Sequence, residues 1–334
     1  MTVSIKTIHL SYNEEKAIRQ SLSKVTFPES EKDLLNNMKN YASCLLESLD
    51  DRHLRQITDF SKKSDEVALI VRGLPMETCP PQTPEDGKCS INSIPFASAL
   101  NFGMYALLDI CPVTYLGEND GHLIRHVVPT KNGINQKSSY GSESLGMHVD
   151  DCHLPLTPEL EETSSHKLSP CPEYLSLYGI RCDAKVFTKI SLLSRALDFL
   201  DEDTIEQLEQ PNFILTTPDS FGEKRQFEYP VIIRKDKETV FSRFDKEFTI
   251  PKTLEAQRAL DALNTHLLDS RVVNHLLLLP GDFLIFKNQR VTHAREKFTP
   301  RFDGTDRWMI RLFGLNSLEK ALPVNANNPY YLVA

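Results

Sequence analysis

The chain is organised around Leu145-Gly146-Met147-His148-Val149-Asp150. Laid on a β-strand, its His-x-Asp spacing puts an imidazole and a carboxylate on one face, because strand side chains alternate with period two. A distant block, Thr292-His293-Ala294-Arg295, followed by Arg307 and Arg311, offers a second imidazole and two guanidinium groups. Two imidazoles and one carboxylate make a facial triad, which fills three positions of an octahedral Fe(II) ion and leaves three open for a bidentate 2-oxo acid and O2. Iron is favoured over zinc because of those open positions and because no thiolate joins the set. Taken alone, His-x-Asp is a weak signal, and the plain alternative is that two of the ten histidines are ordinary core or surface residues.

Around this stretch the composition is that of a globular chain: 334 residues, 40% hydrophobic and 25% charged. The formal net charge of -8, with no long basic run, argues against nucleic acid or an anionic membrane as the main partner and leaves a small molecule as the expected ligand. Seven scattered cysteines without a CxxC pair indicate neither a disulfide framework nor a zinc site, so reduced thiols in a cytoplasm are expected. There is no signal-like h-region at the start and no run of about 18 apolar residues, so export and membrane spanning are not expected.

Leu34, Leu35, Met38, Tyr41, Ala42, Leu45, Leu46 and Leu49 recur three and four apart behind Pro28 and Ser30, so Ser11 to about Lys63 reads as a helical scaffold. Glu66 to Gly73 reads as a buried strand and Phe96 to Leu108 as a helix; Val113–Tyr115 and His122–Val128 read as short strands around the turn Glu118-Asn119-Asp120-Gly121. Past the triad, Pro155 to Pro172 reads as irregular, Leu175–Arg181 as a strand, and Thr188–Leu200 as a helix. Prolines and glycine interrupt any period across 210–226, which marks that segment as a lid. Four short strands between Leu276 and Phe313 close the pattern. The expectation is a fold that is mainly β with added helices (α+β): one domain over 1–334, with an N-terminal scaffold over 1–95, a catalytic core over 96–315 and a C-terminal tail over 316–334.

The combination of Gly146-Met147-His148-Val149-Asp150-Asp151, the strand Leu175 to Asp183 with Thr188 after it, and Pro280-Gly281-Asp282 through His293 to Asp303-Gly304-Thr305-Asp306-Arg307-Trp308 resembles the clavaminate synthase-like Fe(II)/2-oxoglutarate oxygenases. Within them it is most similar to the hydroxylases of free L-lysine, L-arginine and L-asparagine. The resemblance covers roughly Pro95 to Leu315 and implies a double-stranded β-helix (jelly-roll) core, Fe(2+) as cofactor, and 2-oxoglutarate and O2 as co-substrates. It implies His148, Asp150 and His293 as iron ligands and catalytic residues, Arg307 for the far carboxylate of 2-oxoglutarate with Thr188 beside it, and Arg311 for the amino-acid carboxylate. The fourteen residues from His293 to Arg307 and four more to Arg311 fit the family spacing, and on one strand the two arginines share a face.

Each assignment has a simpler reading beside it. Arg307 could be a surface arginine next to the single tryptophan, and Thr188 a helix N-cap. Relatives place acidic side-chain readers near Asp245 and Glu247, which would share a strand face as a clamp for an ammonium or guanidinium, although Arg243-Phe244-Asp245-Lys246-Glu247 also reads as a solvated, internally paired loop. Glu118 falls where relatives contact the α-amine, although turn chemistry alone accounts for the residues after it. Ser138 and Asp219 are further substrate candidates. Asp150 stands where the arginine and asparagine enzymes carry Glu, a departure toward the lysine enzymes. The expected activity is therefore hydroxylation of free L-lysine, with arginine or asparagine next and a non-catalytic ligand-binding module as the alternative of a different class. The partner is a free amino acid, and self-association into a homo-oligomer is left open.

Overall fold

Ser11 opens the first helix, Tyr12–Leu22, with a capping box in which its hydroxyl accepts from the Glu14 N–H and the Glu14 carboxylate accepts from the Ser11 N–H. Ser30 and Asp50 cap the next two helices, Glu31–Ser48 and Asp51–Thr58, by the same kind of side-chain bond. The fourth, Pro95–Leu107, starts on proline, whose fixed φ suits a first helical turn. In the computed structural model residues 4–63, 65–162, 167–217 and 224–334 are described.

These helices cover the outer face of a nine-stranded mixed sheet. Its order is Ser4–His9, Glu66–Arg72, Phe283–Lys287, Tyr174–Arg181, Trp308–Leu315, Cys111–Tyr115, Asn328–Leu332 and Pro323–Asn325, with Arg125–Val127 also pairing to Trp308–Leu315. Period-two alternation divides its side chains. Leu69, Val71, Phe283, Ile285, Ile310 and Leu312 pack under the helices, whereas Ala68, Ile70, Leu284, Phe286, Met309 and Phe313 face the other way. This second face shares one apolar layer with Met147, Ile190, Leu192, Val291 and Ala294 of a four-stranded antiparallel sheet, ordered Val273–Leu276, Thr188–Leu192, Val291–Arg295 and Leu145–His148. The functional side chains lie along the seam between these two sheets.

Several expectations need correction. Thr188–Leu200 is not one helix: Thr188–Leu192 is a strand, paired on one side with Val273–Leu276 and on the other with Val291–Arg295, and only Leu193–Leu197 is helical. The 316–334 tail is part of the sheet, because Asn328–Leu332 pairs in parallel with Cys111–Tyr115 and buries Leu332. Ser4–His9, unforeseen, pairs in parallel with Glu66–Arg72. The Pro155–Pro172 stretch contains the helix Thr157–Glu162. In the 210–226 segment, Phe213–Thr216 and Gln226–Tyr229 pair antiparallel, while Asp219 lies outside the described residues. All seven cysteines are free thiols, and no helix among the described residues is long and apolar enough to cross a membrane.

Candidate metal centre and co-substrate pocket

His148 ends the strand Leu145–His148 and faces His293 directly across the antiparallel ladder, their ring centroids 4.1 Å apart. Asp150 lies beyond the strand end, yet its carboxylate still converges: Oδ1 is 3.3 Å from His148 Nε2, and Oδ2 is 3.9 Å from His293 Nε2. One donor atom from each residue falls within 4.8 Å of the others. A 2.8 Å contact from His148 Nδ1 to the Gly146 carbonyl is satisfied when Nδ1 carries the proton, which leaves the Nε2 lone pair facing the cluster. Buried Asn288, with no sequence signal of its own, bonds both the N–H (3.2 Å) and the C=O (3.0 Å) of Asp150 and so fixes its backbone.

The charges fit a cation site. Burial opposes ionisation of Asp150, but Arg311 and the two imidazoles hold it well below the usual carboxylate range. Burial likewise works against a charged His148, yet Asp150 outweighs it and lifts the imidazole to about 9. His293 is pushed down to about 3 by burial and by the His148 charge. A carboxylate flanked by two imidazoles, with one proton to displace, is a donor set suited to a divalent transition metal.

Arg307 is 4% exposed. Its Nη2 donates to Thr188 Oγ1 at 3.1 Å and contacts Met309 Sδ at 3.3 Å, while Nε has no partner. Among the described residues it pairs with no carboxylate. Burial depresses this guanidinium, and a buried cation with unmet donors marks a place for an anionic ligand. Thr188, a strand residue facing Arg307, is thus not a helix cap.

Met309 and Phe313 face the inter-sheet layer, and Arg311, between them in register, stacks on Phe313 at 4.1 Å. Its fork is already engaged: Nη1 donates to Asp150 Oδ2 at 3.0 Å, and Nη2 donates to Glu118. Glu118 is buried and also lies 3.5 Å from Arg125, which bonds Ser139 and stacks on Tyr140 at 4.2 Å. Arg125 had no distinguishing sequence context.

Asp245 and Glu247 do not form the expected clamp. Asp245 is buried, bridges His148 through its main chain, and spends one carboxylate oxygen on the Glu247 N–H at 2.8 Å, which turns the backbone. Glu247 is exposed and pairs with Lys137 at 2.8 Å. The same-face argument holds only on an extended strand, and here the chain turns. Ser138 sits in a turn where its hydroxyl accepts from the Tyr140 N–H, while its carbonyl faces Arg295.

The profile of the Taurine catabolism dioxygenase TauD, TfdA family matches residues 193–313, a span that includes His293, Arg307 and Arg311. L-asparagine oxygenase of Streptomyces coelicolor is 29% identical over 286 residues, which cover 84% of this chain and 80% of that protein. L-lysine 3-hydroxylase of Catenulispora acidiphila is 26% identical over 258 residues, 73% of this chain and 66% of its own length. The solved structure of asparagine oxygenase with Fe(II), 2S,3S-3-hydroxyasparagine and succinate superposes with a TM-score of 0.83 at 24% identity, covering 98% of this chain and 99% of that one. The non-haem iron oxygenase OrfP with Fe and alpha-ketoglutaric acid superposes at 0.77 and 22% identity, covering 95% and 96%. The chain is thus similar in sequence to oxygenases of free amino acids over most of its length and shares the fold of non-haem iron oxygenases, with the donor triad and the buried arginine in place.

Proposed function

We propose that this oxygenase hydroxylates an unactivated side-chain carbon of a free L-amino acid, L-lysine first, within a single domain whose two facing sheets form a double-stranded β-helix. The observation that carries the reading is the convergence of His148, Asp150 and His293 within 4.8 Å, together with a buried Arg307 that lacks a carboxylate partner among the described residues. The three side chains hold Fe(II), which supplies the O2-dependent oxidation that converts 2-oxoglutarate to succinate and CO2, one oxygen atom going to succinate and one to the amino acid.

The protein's share is binding and orientation. Arg307 and Thr188 fix the far carboxylate of 2-oxoglutarate, the guanidinium as a fork and the hydroxyl as a further donor. Arg311 and Glu118 form a charged pair that matches the zwitterionic head of an amino acid: the substrate carboxylate joins Arg311, and its ammonium joins Glu118. The substrate is thereby registered against the metal, because the same Arg311 holds Asp150. Asp245, buried and attached through its main chain to His148, reads the far end of the side chain. A halogenase is disfavoured, since Asp150 fills the position a halide would need.

Lysine is supported by the aspartate in the triad and by the carboxylate of Asp245 as a partner for an ammonium. Asparagine is the second reading: with Glu247 turned to solvent, a single carboxylate also suits a side-chain amide N–H, and the L-asparagine oxygenase relative supports it. The test incubates purified, Fe(II)-loaded protein with 2-oxoglutarate and each common amino acid and follows substrate mass. A gain of one oxygen on lysine is expected. A gain on asparagine alone would move the substrate to the second reading, and succinate formation with no amino acid oxidised would sink the proposal.

A further inference from the structure

Arg295 takes no part in the scheme above, yet it is 6% exposed and, among the described residues, pairs with no carboxylate. Its Nη2 donates to the Glu143 carbonyl at 2.9 Å and its Nη1 to the Ser138 carbonyl at 3.4 Å, and its Nε has no partner. The loop it grips is held to the same segment by a Phe298 N–H bond to the Ser142 carbonyl at 3.1 Å and by Lys297 on Glu143 at 2.8 Å. Across the ladder Arg295 is the register partner of Thr188, whose hydroxyl accepts from Arg307. Directly paired residues of adjacent strands present neighbouring side chains on one face. Two buried guanidinium groups therefore flank one threonine, and among the described residues neither pairs with a carboxylate. Main-chain carbonyls compensate part of the charge on Arg295, and an anion beside Thr188 would compensate the rest.

We propose that Arg295 is a positioning residue of the 2-oxoglutarate pocket, a second cation beside Arg307 and the clasp that holds the 138–143 loop to the metal-bearing strand. The proposal rests on the assignment of Arg307 to the far carboxylate of the co-substrate. It makes selection of a dianionic co-substrate the work of two charges, and it couples loop order to co-substrate binding.

The experiment measures binding, not turnover. Anaerobic, Fe(II)-loaded protein is titrated calorimetrically with 2-oxoglutarate and with 2-oxopentanoate, which has the same chain length but a methyl group in place of the far carboxylate. Arg295→Gln is expected to narrow the preference for 2-oxoglutarate by about tenfold, and Arg295→Lys, which keeps a charge without the fork, by less than about threefold. Tryptic cleavage after Lys137 should be faster in both variants, and slowed by 2-oxoglutarate in the parent. A purely structural arginine would weaken both ligands equally and leave their ratio unchanged, and that result overturns the proposal. If Arg295→Gln does not fold, Arg295→Lys decides: faster cleavage supports the clasp, whereas cleavage and preference both equal to the parent overturn it. Arg307→Ala is the control. Should that variant keep the parent's preference, the reading of Arg307 has failed; should it lose the preference while the Arg295 variants keep it, only the present proposal has.

Discussion

Arg307 and Arg311 stand four residues apart yet meet opposite chemistry. Arg307 is buried against a hydroxyl and a thioether with a donor to spare, whereas Arg311 is held by two carboxylates. Arg307→Ala should remove a charge-assisted bond worth about 1.5–3 kcal/mol and raise the 2-oxoglutarate requirement by about tenfold to about 150-fold. Arg311→Ala should instead weaken the amino acid and leave uncoupled 2-oxoglutarate decay, seen as succinate without oxidised substrate. If both variants change only the co-substrate requirement, the division of roles is wrong. At the triad, His148→Ala, Asp150→Ala and His293→Ala should each abolish turnover with the circular dichroism of the parent, and Asp150→Gly should lose hydroxylation while two imidazoles still bind metal. Succinate production surviving in two of the three alanine variants would place the iron elsewhere. The convergence of His148, Asp150 and His293 was legible in the sequence because a metal reading restricts both residue type and spacing. The Asp245 and Glu247 pair was misread because an i, i+2 offset implies a shared face only on extended backbone, and Asp245 uses its own carboxylate to turn the chain.

Among the elements, those with a clear period were read correctly and those fixed by distant pairing were not. The Glu31–Ser48 helix and the Glu66–Arg72 strand carry their own apolar spacing. Thr188–Leu192 resembles the start of a helix until hydrogen-bonded neighbours from the last third of the chain flank it on both sides, and the Asn328–Leu332 strand likewise needs Cys111–Tyr115 to exist. The helical scaffold offers its own test at Glu14, whose carboxylate accepts from the Ser11 N–H and hydroxyl, the Asp50 N–H and His53 Nδ1 and so ties the first helix to the third. Burial opposes its ionisation, but these bonds hold it down at about 2 against an ordinary 4.5. Because the folded value is depressed, its stabilisation is fully present above about pH 4.5 and is lost as pH falls toward 2. Glu14→Ala should therefore cost about 1–3 kcal/mol at neutral pH. In thermal melts against pH, the gap between parent and variant should narrow on acidification; a gap that stays constant down to pH 3 would show that the carboxylate is not the tie.

At the scale of the whole molecule, the site is a junction. His148 and His293 belong to the four-stranded sheet, whereas Arg311 comes from the nine-stranded one and Arg307 immediately precedes the same strand. Polar contacts that cross between the two halves of the site include Arg307 to Thr188 and Arg311 to Asp150. A 2-oxoglutarate molecule anchored at one end to the metal on the first sheet and at the other to Arg307 would tie the two together, so its binding energy should appear as global stability. At a concentration of about 100 times its dissociation constant the gain is about 2.7 kcal/mol, equivalent to about 4 °C in melting temperature for a chain of this size. Anaerobic melts should show that gain with Fe(II) present and lose most of it on chelation, because one anchor is then missing. Arg307→Ala should melt near the parent without ligand and gain little from 2-oxoglutarate even with the metal bound. An equal gain in parent and variant would mean that the co-substrate binds to one sheet alone, and the junction would then be a matter of packing.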